Sequence, residues 1–233
     1  MTKSFIQIEG LSKSFTLHNQ GGITLPVLNL VGLKISSGEC VVVTGPSGVG
    51  KSSLLKCIYG NYLATEGSVH VGPPETALDV TRAAPREIVN LRRYTLGYVT
   101  QFLRIVPRVS AIEIVMEPLR ILGVDLDEAR ERSVKMLARL NIPERLWSLA
   151  PSTFSGGEQQ RINLARGFIV EYPALLLDEP TASLDAENRQ VVVGLIEEAK
   201  QNGSAILGIF HDKEVRDAVA DRELLLKELG VAA

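Results

Sequence analysis

Residues 45–52 read Gly-Pro-Ser-Gly-Val-Gly-Lys-Ser and fill every fixed position of the pattern G-x-x-x-x-G-K-[ST]. The preceding Cys40-Val-Val-Val-Thr44 is an apolar run typical of a buried strand, and Ser53-Leu-Leu-Lys-Cys-Ile-Tyr59 has a helix pattern. A glycine-rich turn between a strand and a helix start directs several backbone N–H groups at one point, where the helix dipole adds positive potential. The stretch therefore predicts a triphosphate site, against the alternative of an ordinary glycine-rich connection.

Each residue type in this loop, the P-loop, suits such a site. The glycines allow a tight turn and a close approach of backbone to phosphate. Lys51 is predicted to reach the β- and γ-phosphates and Ser52 to ligate Mg²⁺. ATP and Mg²⁺ are therefore the expected nucleotide and metal. The predicted nucleotide-binding residues here are Gly45, Pro46, Ser47, Gly48, Val49, Gly50, Lys51, Ser52 and Ser53.

The composition narrows the class of protein. The 233 residues carry 25 Lys and Arg against 27 Asp and Glu, which argues against broad electrostatic binding of nucleic acid. No apolar run approaches the ~20 residues of a membrane-spanning helix, and Glu9 interrupts any signal-peptide core, so we expect no membrane insertion and a cytoplasmic location. Cys40 and Cys57 lie in apolar patterns without metal-ligand spacing and are predicted to be buried thiols.

Strand and helix patterns alternate along the chain. Short strand patterns precede the P-loop, and after it a proline-containing loop leads to a strand that begins at Leu96. Helical periodicity dominates 110–170, and alternation of strand and helix returns over 174–226. We predict one α/β domain over 1–233, with a parallel-sheet core, a β-rich N-terminal part and a helical subdomain near 102–165.

Two adjacent acids end a second buried strand pattern, Ala174-Leu-Leu-Leu-Asp178-Glu179. Ligands bind at the carboxyl ends of parallel strands. Asp178 is therefore predicted to hold Mg²⁺, and Glu179 to polarise the water that attacks the γ-phosphate. The alternative is an exposed acidic turn before Pro180, which a full P-loop in the same chain disfavours.

A second anion site is predicted where a helix begins after Phe154-Ser-Gly-Gly-Glu-Gln-Gln-Arg161. Ser155 and Glu158 have the spacing of a capping box, in which Ser155 is the N-cap. A capped helix start with two glycines can also bind an anion. Because the P-loop already serves the chain's own nucleotide, we expect this site to close on the nucleotide of a second copy.

These stretches together resemble the motifs of ABC-type ATPases, and the resemblance extends along the whole chain. The P-loop matches Walker A, 175–179 matches Walker B and 154–158 matches the signature motif. The resemblance implies a P-loop NTPase fold with an antiparallel β N-terminal subdomain and a helical subdomain. It also implies a second ABC ATPase chain packed head to tail, with each nucleotide between Walker A of one chain and the signature of the other.

Further roles follow from the resemblance, residue by residue. Gln101 matches the Q-loop, Asp185 lies in the D-loop that links the two sites, and Phe15 aligns with an adenine-stacking aromatic residue, with a core role as the alternative. His211 matches the switch histidine, although a lone histidine at a strand end is commonly an ordinary polar residue. The implied catalytic residues are Glu179, His211 and Gln101; the metal-binding residues are Ser52, Gln101 and Asp178; the nucleotide-binding residues outside the P-loop are Phe15, Ser155, Gly156, Gly157, Glu158 and Asp185.

Two positions depart from the commonest pattern of that family. Ser53 replaces a more usual Thr, and its hydroxyl can still donate to the α-phosphate. Glu158 stands where Gln is commoner and places a negative charge near the site in the partner chain.

Five stretches resemble more narrowly the L-subunit family of the bacterial carbon–phosphorus lyase system, and that match spans nearly the whole chain: 60–63, 101–108, 140–154, 166–173 and 208–212. That resemblance implies a role in phosphonate catabolism, with subunits G, H and I, in forming ribose 1-phosphonate 5-triphosphate from ATP and phosphonate. It implies association with the G, H, I and J subunits, and a dimer either of two copies or with the K subunit.

Two other functions are compatible with the same motifs. One is the ATP-binding subunit of a membrane ABC transporter of the lipoprotein-releasing or macrolide-exporter type, since those ATPases share the Gln101-Phe102 pair and the chain length. The other is a nucleotide-binding scaffold without turnover, which would bind ATP but release no phosphate when Mg²⁺ is present.

Overall fold

The computed structural model describes residues 4–103 and 107–227, which form strands in two sheets and helices around them. The strands are β1 (Ser4–Leu17), β2 (Ile23–Ser36), β3 (Cys40–Thr44), β4 (Glu66–Val71), β5 (Leu78–Asp79), β6 (Leu96–Val99), β7 (Ala174–Asp178), β8 (Ala205–Ile209) and β9 (Arg222–Leu225). The α-helices are α1 (Lys51–Ile58), α2 (Pro85–Tyr94), α3 (Ala111–Ile121), α4 (Leu126–Arg139), α5 (Glu144–Trp147), α6 (Gly156–Phe168), α7 (Ala186–Gln201) and α8 (Lys213–Val219).

The first sheet is antiparallel and has the order β2-β1-β4-β5. Side chains alternate across its strands, so that Ile6 and Ile8 of β1 and Val69 and Val71 of β4 are buried on one face. The register between β1 and β2 shifts several times, which marks bulges that bend the long hairpin.

The second sheet is parallel and has the order β6-β7-β8-β3-β9. Every residue of β7 and β8 is buried, which explains their continuous apolar sequences. Because the strands run in one direction, the segments after β3, β6, β7 and β8 begin at the same edge of the sheet. That edge brings together the P-loop, Gln101, Asp178-Glu179 and His211.

Helices α3 to α6 lie between residues 111 and 168 and share a core with the parallel sheet. Ile112, Val115 and Leu119 of α3 are buried, as the sequence periodicity predicts. The helical spacing of the apolar residues also predicts that Leu126 faces the core, but this residue is 58% exposed at the start of α4. Its position follows directly after Asp125, the N-cap of α4, where the side chain is still outside the core.

The connection between β4 and β6 contains a helix that the proline-based prediction of a loop missed. Pro85 is at the start of α2, where its absent N–H has no helical partner to lose, and Glu87 accepts a hydrogen bond from the backbone N–H of Ala84. The segment 104–106, within the stretch compared with the lyase L subunits, lies outside the described residues. Over 4–103 and 107–227, we find no helix with the length and apolarity needed to cross a bilayer.

Candidate nucleotide-binding and hydrolysis site

The P-loop leaves β3 and enters α1 through a backbone that only glycine accommodates well. Gly45 has φ 137° and Gly50 has φ 104°. A Cβ on Gly50 would lie 2.9 Å from the carbonyl oxygen of Val27, and one on Gly45 would collide with the carbonyl of Leu226. Lys51 Nζ donates to the carbonyl oxygens of Gly45 (2.9 Å) and Pro46 (2.8 Å), so the ammonium group lies against the loop that it is predicted to serve.

Of the three residues predicted to bind Mg²⁺, Ser52 and Asp178 are in contact, whereas Gln101 hydrogen-bonds to Glu179. Ser52 Oγ donates to Asp178 Oδ1 at 3.0 Å, and Asp178 is only 3% exposed. Burial raises the pKa of Asp178, an effect that hydrogen bonds from Ser52 and Tyr98 oppose. A hydroxyl and a carboxylate at the carboxyl edge of a parallel sheet are the oxygen donors that a hard divalent cation prefers, so this pair fits Mg²⁺.

The three residues predicted to be catalytic also meet. Gln101 Nε2 donates to Glu179 Oε2 at 2.9 Å, and His211 Nε2–H donates to Glu179 Oε1 at 2.7 Å. Glu179 itself has φ 53°, an unusual value for a residue with a side chain, and its N–H donates to Ile209 O at 3.0 Å. Both oxygens of one carboxylate are thus oriented by donors from two other segments, which suits a group that must hold and activate water.

The signature segment lies at the start of α6, as the capping box predicts. The backbone N–H and Oγ of Ser155 both donate to Glu158 Oε2 at 2.8 Å, and Glu158 N–H donates to Ser155 Oγ at 3.3 Å. These bonds hold the pKa of Glu158 below its usual value. Among the described residues, no hydrogen bond joins residues 155–158 to the P-loop.

The signature helix packs against the segment that follows Glu179. A Cβ on Gly157 would lie 2.9 Å from Ser183 O, whereas one on Gly156 would meet nothing within 4 Å. Gln160 Nε2 donates to Pro180 O at 2.9 Å. Asp185 is the N-cap of α7, since its Oδ1 accepts from the backbone N–H of Asn188. The motif at the start of α6 is therefore packed against the segment between Glu179 and α7.

Phe15 lies in β1, beside the ring of a tyrosine and the ammonium group of a lysine. Its ring meets the edge of Tyr62 with centroids 5.2 Å apart, and Lys13 Nζ lies 4.7 Å from its centroid. Neither core cluster contains it. Its stacking on adenine stays a prediction.

Tyr98 belongs to this site, although the sequence reasoning overlooked it. Its hydroxyl donates to Asp178 Oδ2 at 3.1 Å. Burial raises the pKa of Tyr98, which keeps that hydroxyl protonated. The pairing of Tyr98 with Leu176 in the β6–β7 ladder brings the phenol beside Asp178. The sequence signal for this role is a tyrosine three residues before Gln101. It could be interpreted only with the knowledge that β6 and β7 are neighbours in the sheet.

A model of the family described as ABC transporter matches residues 28–182, and the chain belongs to that family as an ATP-binding domain. The dimeric ATP-binding cassette MJ0796 in a post-hydrolysis state, bound to ADP and Pi, superposes with a TM-score of 0.86 at 28% identity over 97% of both chains. The fold is therefore that of an ABC ATPase, and MJ0796 is dimeric in two solved structures.

Several relatives within the family are similar to most of this chain. The chain is 33% identical to the lipoprotein-releasing system ATP-binding protein LolD of Legionella pneumophila over 217 residues, which are 93% of each chain. It is 33% identical to the ABC transporter ATP-binding protein YtrE of Bacillus subtilis, over 90% of each chain. It is 36% identical to an ABC transporter ATP-binding protein of Mycobacterium tuberculosis, but spans only 59% of that protein's length.

Proposed function

We propose that this chain is the ATP-hydrolysing subunit of a membrane transporter, and that it works as a pair of ABC ATPase chains. The observation that carries the hydrolytic part is the convergence of Gln101 and His211 on the two oxygens of Glu179. A chain that only bound nucleotide would gain nothing from a carboxylate oriented in this way. The transport part rests on the relatives named above, which match most of this chain.

Binding of the nucleotide would begin at the P-loop. The N–H groups at the start of α1 would receive the phosphates, and Lys51 would leave the carbonyls of Gly45 and Pro46 to bind them. Ser52 and Asp178 would hold Mg²⁺, which neutralises phosphate charge when bound. The half-buried ring of Phe15 would stack on the adenine.

Hydrolysis would then depend on Glu179. Its carboxylate would take a proton from the attacking water as the water oxygen bonds to the γ-phosphorus and the bond to the β-phosphate oxygen breaks, giving ADP and phosphate. Gln101 and His211 would keep the carboxylate aimed at that water. Ser155 and Gly157 of the second chain would donate to the γ-phosphate, so that turnover requires the pair.

We prefer a role as the ATPase subunit of a membrane transporter to a role as a subunit of the carbon–phosphorus lyase system. The relatives above are named for ABC transporters and for lipoprotein release, not for phosphonate breakdown. The narrower resemblance to the L subunits rests on short stretches of sequence, one of which falls partly outside the described residues. It stays a hypothesis that the experiments below separate from transport.

A single substitution tests the hydrolytic role. The variant Glu179→Gln keeps the shape of the site but cannot accept the proton, so we expect ATP binding and ATP-dependent dimers without Mg²⁺-dependent phosphate release. Glu171→Gln, which removes the same charge from an exposed position before β7, should leave phosphate release unchanged. Phosphate release by Glu179→Gln at the wild-type rate would rule out this mechanism.

The assembly is tested by purifying a tagged chain from its own cells after mild detergent extraction. We expect an integral membrane protein to copurify with it, and its loss should abolish ATP-dependent transport. Recovery of soluble phosphonate-lyase subunits instead would favour the lyase hypothesis. A chain that binds ATP and dimerises without any Mg²⁺-dependent phosphate release would be the scaffold.

A further inference from the structure

We propose that Tyr98 is a positioning residue for the metal site: its hydroxyl fixes the carboxylate of Asp178, so that the other oxygen faces Ser52 and the metal. This inference rests on the proposed function, because it assigns Asp178 and Ser52 to Mg²⁺. It adds a residue that none of the ATPase motifs contains.

The geometry at Asp178 separates its two oxygens. Tyr98 OH donates to Oδ2 at 3.1 Å, while Ser52 Oγ donates to Oδ1 at 3.0 Å. Because Asp178 is only 3% exposed, water has little access to replace either donor. Without the phenol hydroxyl, Oδ2 would lose its described partner and the carboxylate could rotate about its Cβ–Cγ bond.

The ring that carries this hydroxyl is itself fixed by a stack of side chains. The rings of Tyr98 and Tyr59 have centroids 4.9 Å apart, and the guanidinium carbon of Arg92 lies 4.3 Å from the centroid of Tyr59. Arg92 is anchored in turn by hydrogen bonds to Tyr59 O (3.0 and 2.9 Å) and to Asn61 Oδ1 (2.9 Å). The same three side chains line two cavities of about 240 and 720 Å³.

A hydrogen-bonded partner of a metal ligand orients that ligand, and its removal typically lowers metal affinity by about 10- to 100-fold. Tyr98→Phe removes the hydroxyl and keeps the ring. Tyr59→Phe is the matched control, since it removes a hydroxyl from the same stack that makes no hydrogen bond within the described part of the chain.

The test measures the affinity of a non-hydrolysable ATP analogue by fluorescence titration, once in EDTA and once in Mg²⁺. The ratio of the two affinities is the metal-linked gain. We expect Tyr98→Phe to bind the analogue normally in EDTA and to lose about 10-fold or more of that gain. With Mn²⁺ in place of Mg²⁺, its electron paramagnetic resonance spectrum should change as well. Tyr59→Phe should match the wild type in all three measurements.

A double-mutant cycle shows whether the effect passes through the carboxylate. In an Asp178→Asn background, Tyr98→Phe should cause no further loss of the gain. An unchanged gain in Tyr98→Phe, an equal loss in Tyr59→Phe, or the same loss in the Asp178→Asn background would each overturn the inference. Absence of any metal-linked gain in the wild-type chain would instead refute the proposed metal site itself.

Discussion

The Glu158→Gln substitution should strengthen ATP-driven pairing of two chains. In the single chain, Ser155 Oγ donates a hydrogen bond to Glu158 Oε2 at 2.8 Å. If Ser155 turned this hydroxyl to a phosphate oxygen while Glu158 stayed on the Ser155 N–H, the two anionic oxygens would lie within about 5.6 Å of each other, since each would be about 2.8 Å from Oγ. Two like charges must then approach whenever the pair closes, and the serine must also release its carboxylate partner.

The size of the repulsion follows from that distance. Two unit charges about 5.6 Å apart repel by about 3 kcal/mol at an effective dielectric constant of about 20, and by about 0.7 kcal/mol in water. Because Glu158 is partly exposed to solvent, we expect a repulsion closer to the lower value, about 0.7 kcal/mol. We expect Glu158→Gln to strengthen pairing by about 3- to 10-fold for each nucleotide site. Because a pair contains two such sites, the dimer dissociation constant should fall by about 10- to 100-fold.

The assay measures the monomer–dimer equilibrium by sedimentation with ATP and Mg²⁺, in a Glu179→Gln background that prevents turnover. The free energy of unfolding of the single chain should change little, since a Gln at this position still accepts from the Ser155 N–H and only about 0.3–1 kcal/mol of helix-dipole interaction is lost. Glu171→Gln serves as the control for net charge.

High salt should narrow the difference between Glu158→Gln and its parent, because screening weakens the repulsion. An unchanged or weaker dimer in Glu158→Gln would refute the reasoning. Equal strengthening by Glu171→Gln would show that total charge, not the contact with Ser155, controls pairing.

Two further predictions concern stability and reactivity. Gly157→Ala should be less stable than Gly156→Ala by about 1–3 kcal/mol in urea unfolding, because only the Cβ at 157 crowds Ser183 O, at 2.9 Å; equal stabilities would contradict the described packing. Burial raises the pKa of Cys40 to about 12 and that of Cys57 to about 11, so neither thiol should react with Ellman's reagent at pH 8 until the chain unfolds; rapid labelling of the folded chain would contradict it.

The local backbone patterns of this chain were predictable because they depend on near neighbours. The apolar run before Gly45, the glycines of the P-loop and the capping box of Ser155 each specify their own conformation, and the structure contains them. The burial of Cys40 and Cys57 is confirmed for the same reason, since both lie within apolar runs. Helix α2 was missed although its signals, Pro85 and Glu87, are local, because prolines were interpreted as loop residues.

Which distant groups meet is a different matter, because it depends on strand order. The sequence alone determined the phosphate-binding turn, the buried strand that leads to Asp178 and Glu179, and the capped helix start. Only the tertiary structure, by placing β7 between β6 and β8, brought Gln101 and His211 to the two oxygens of Glu179 and the Tyr98 hydroxyl to Asp178. Strand order is fixed by the burial of whole faces of strands and helices against one another. That burial depends on many residues far apart in the chain, so no short stretch of sequence predicts it.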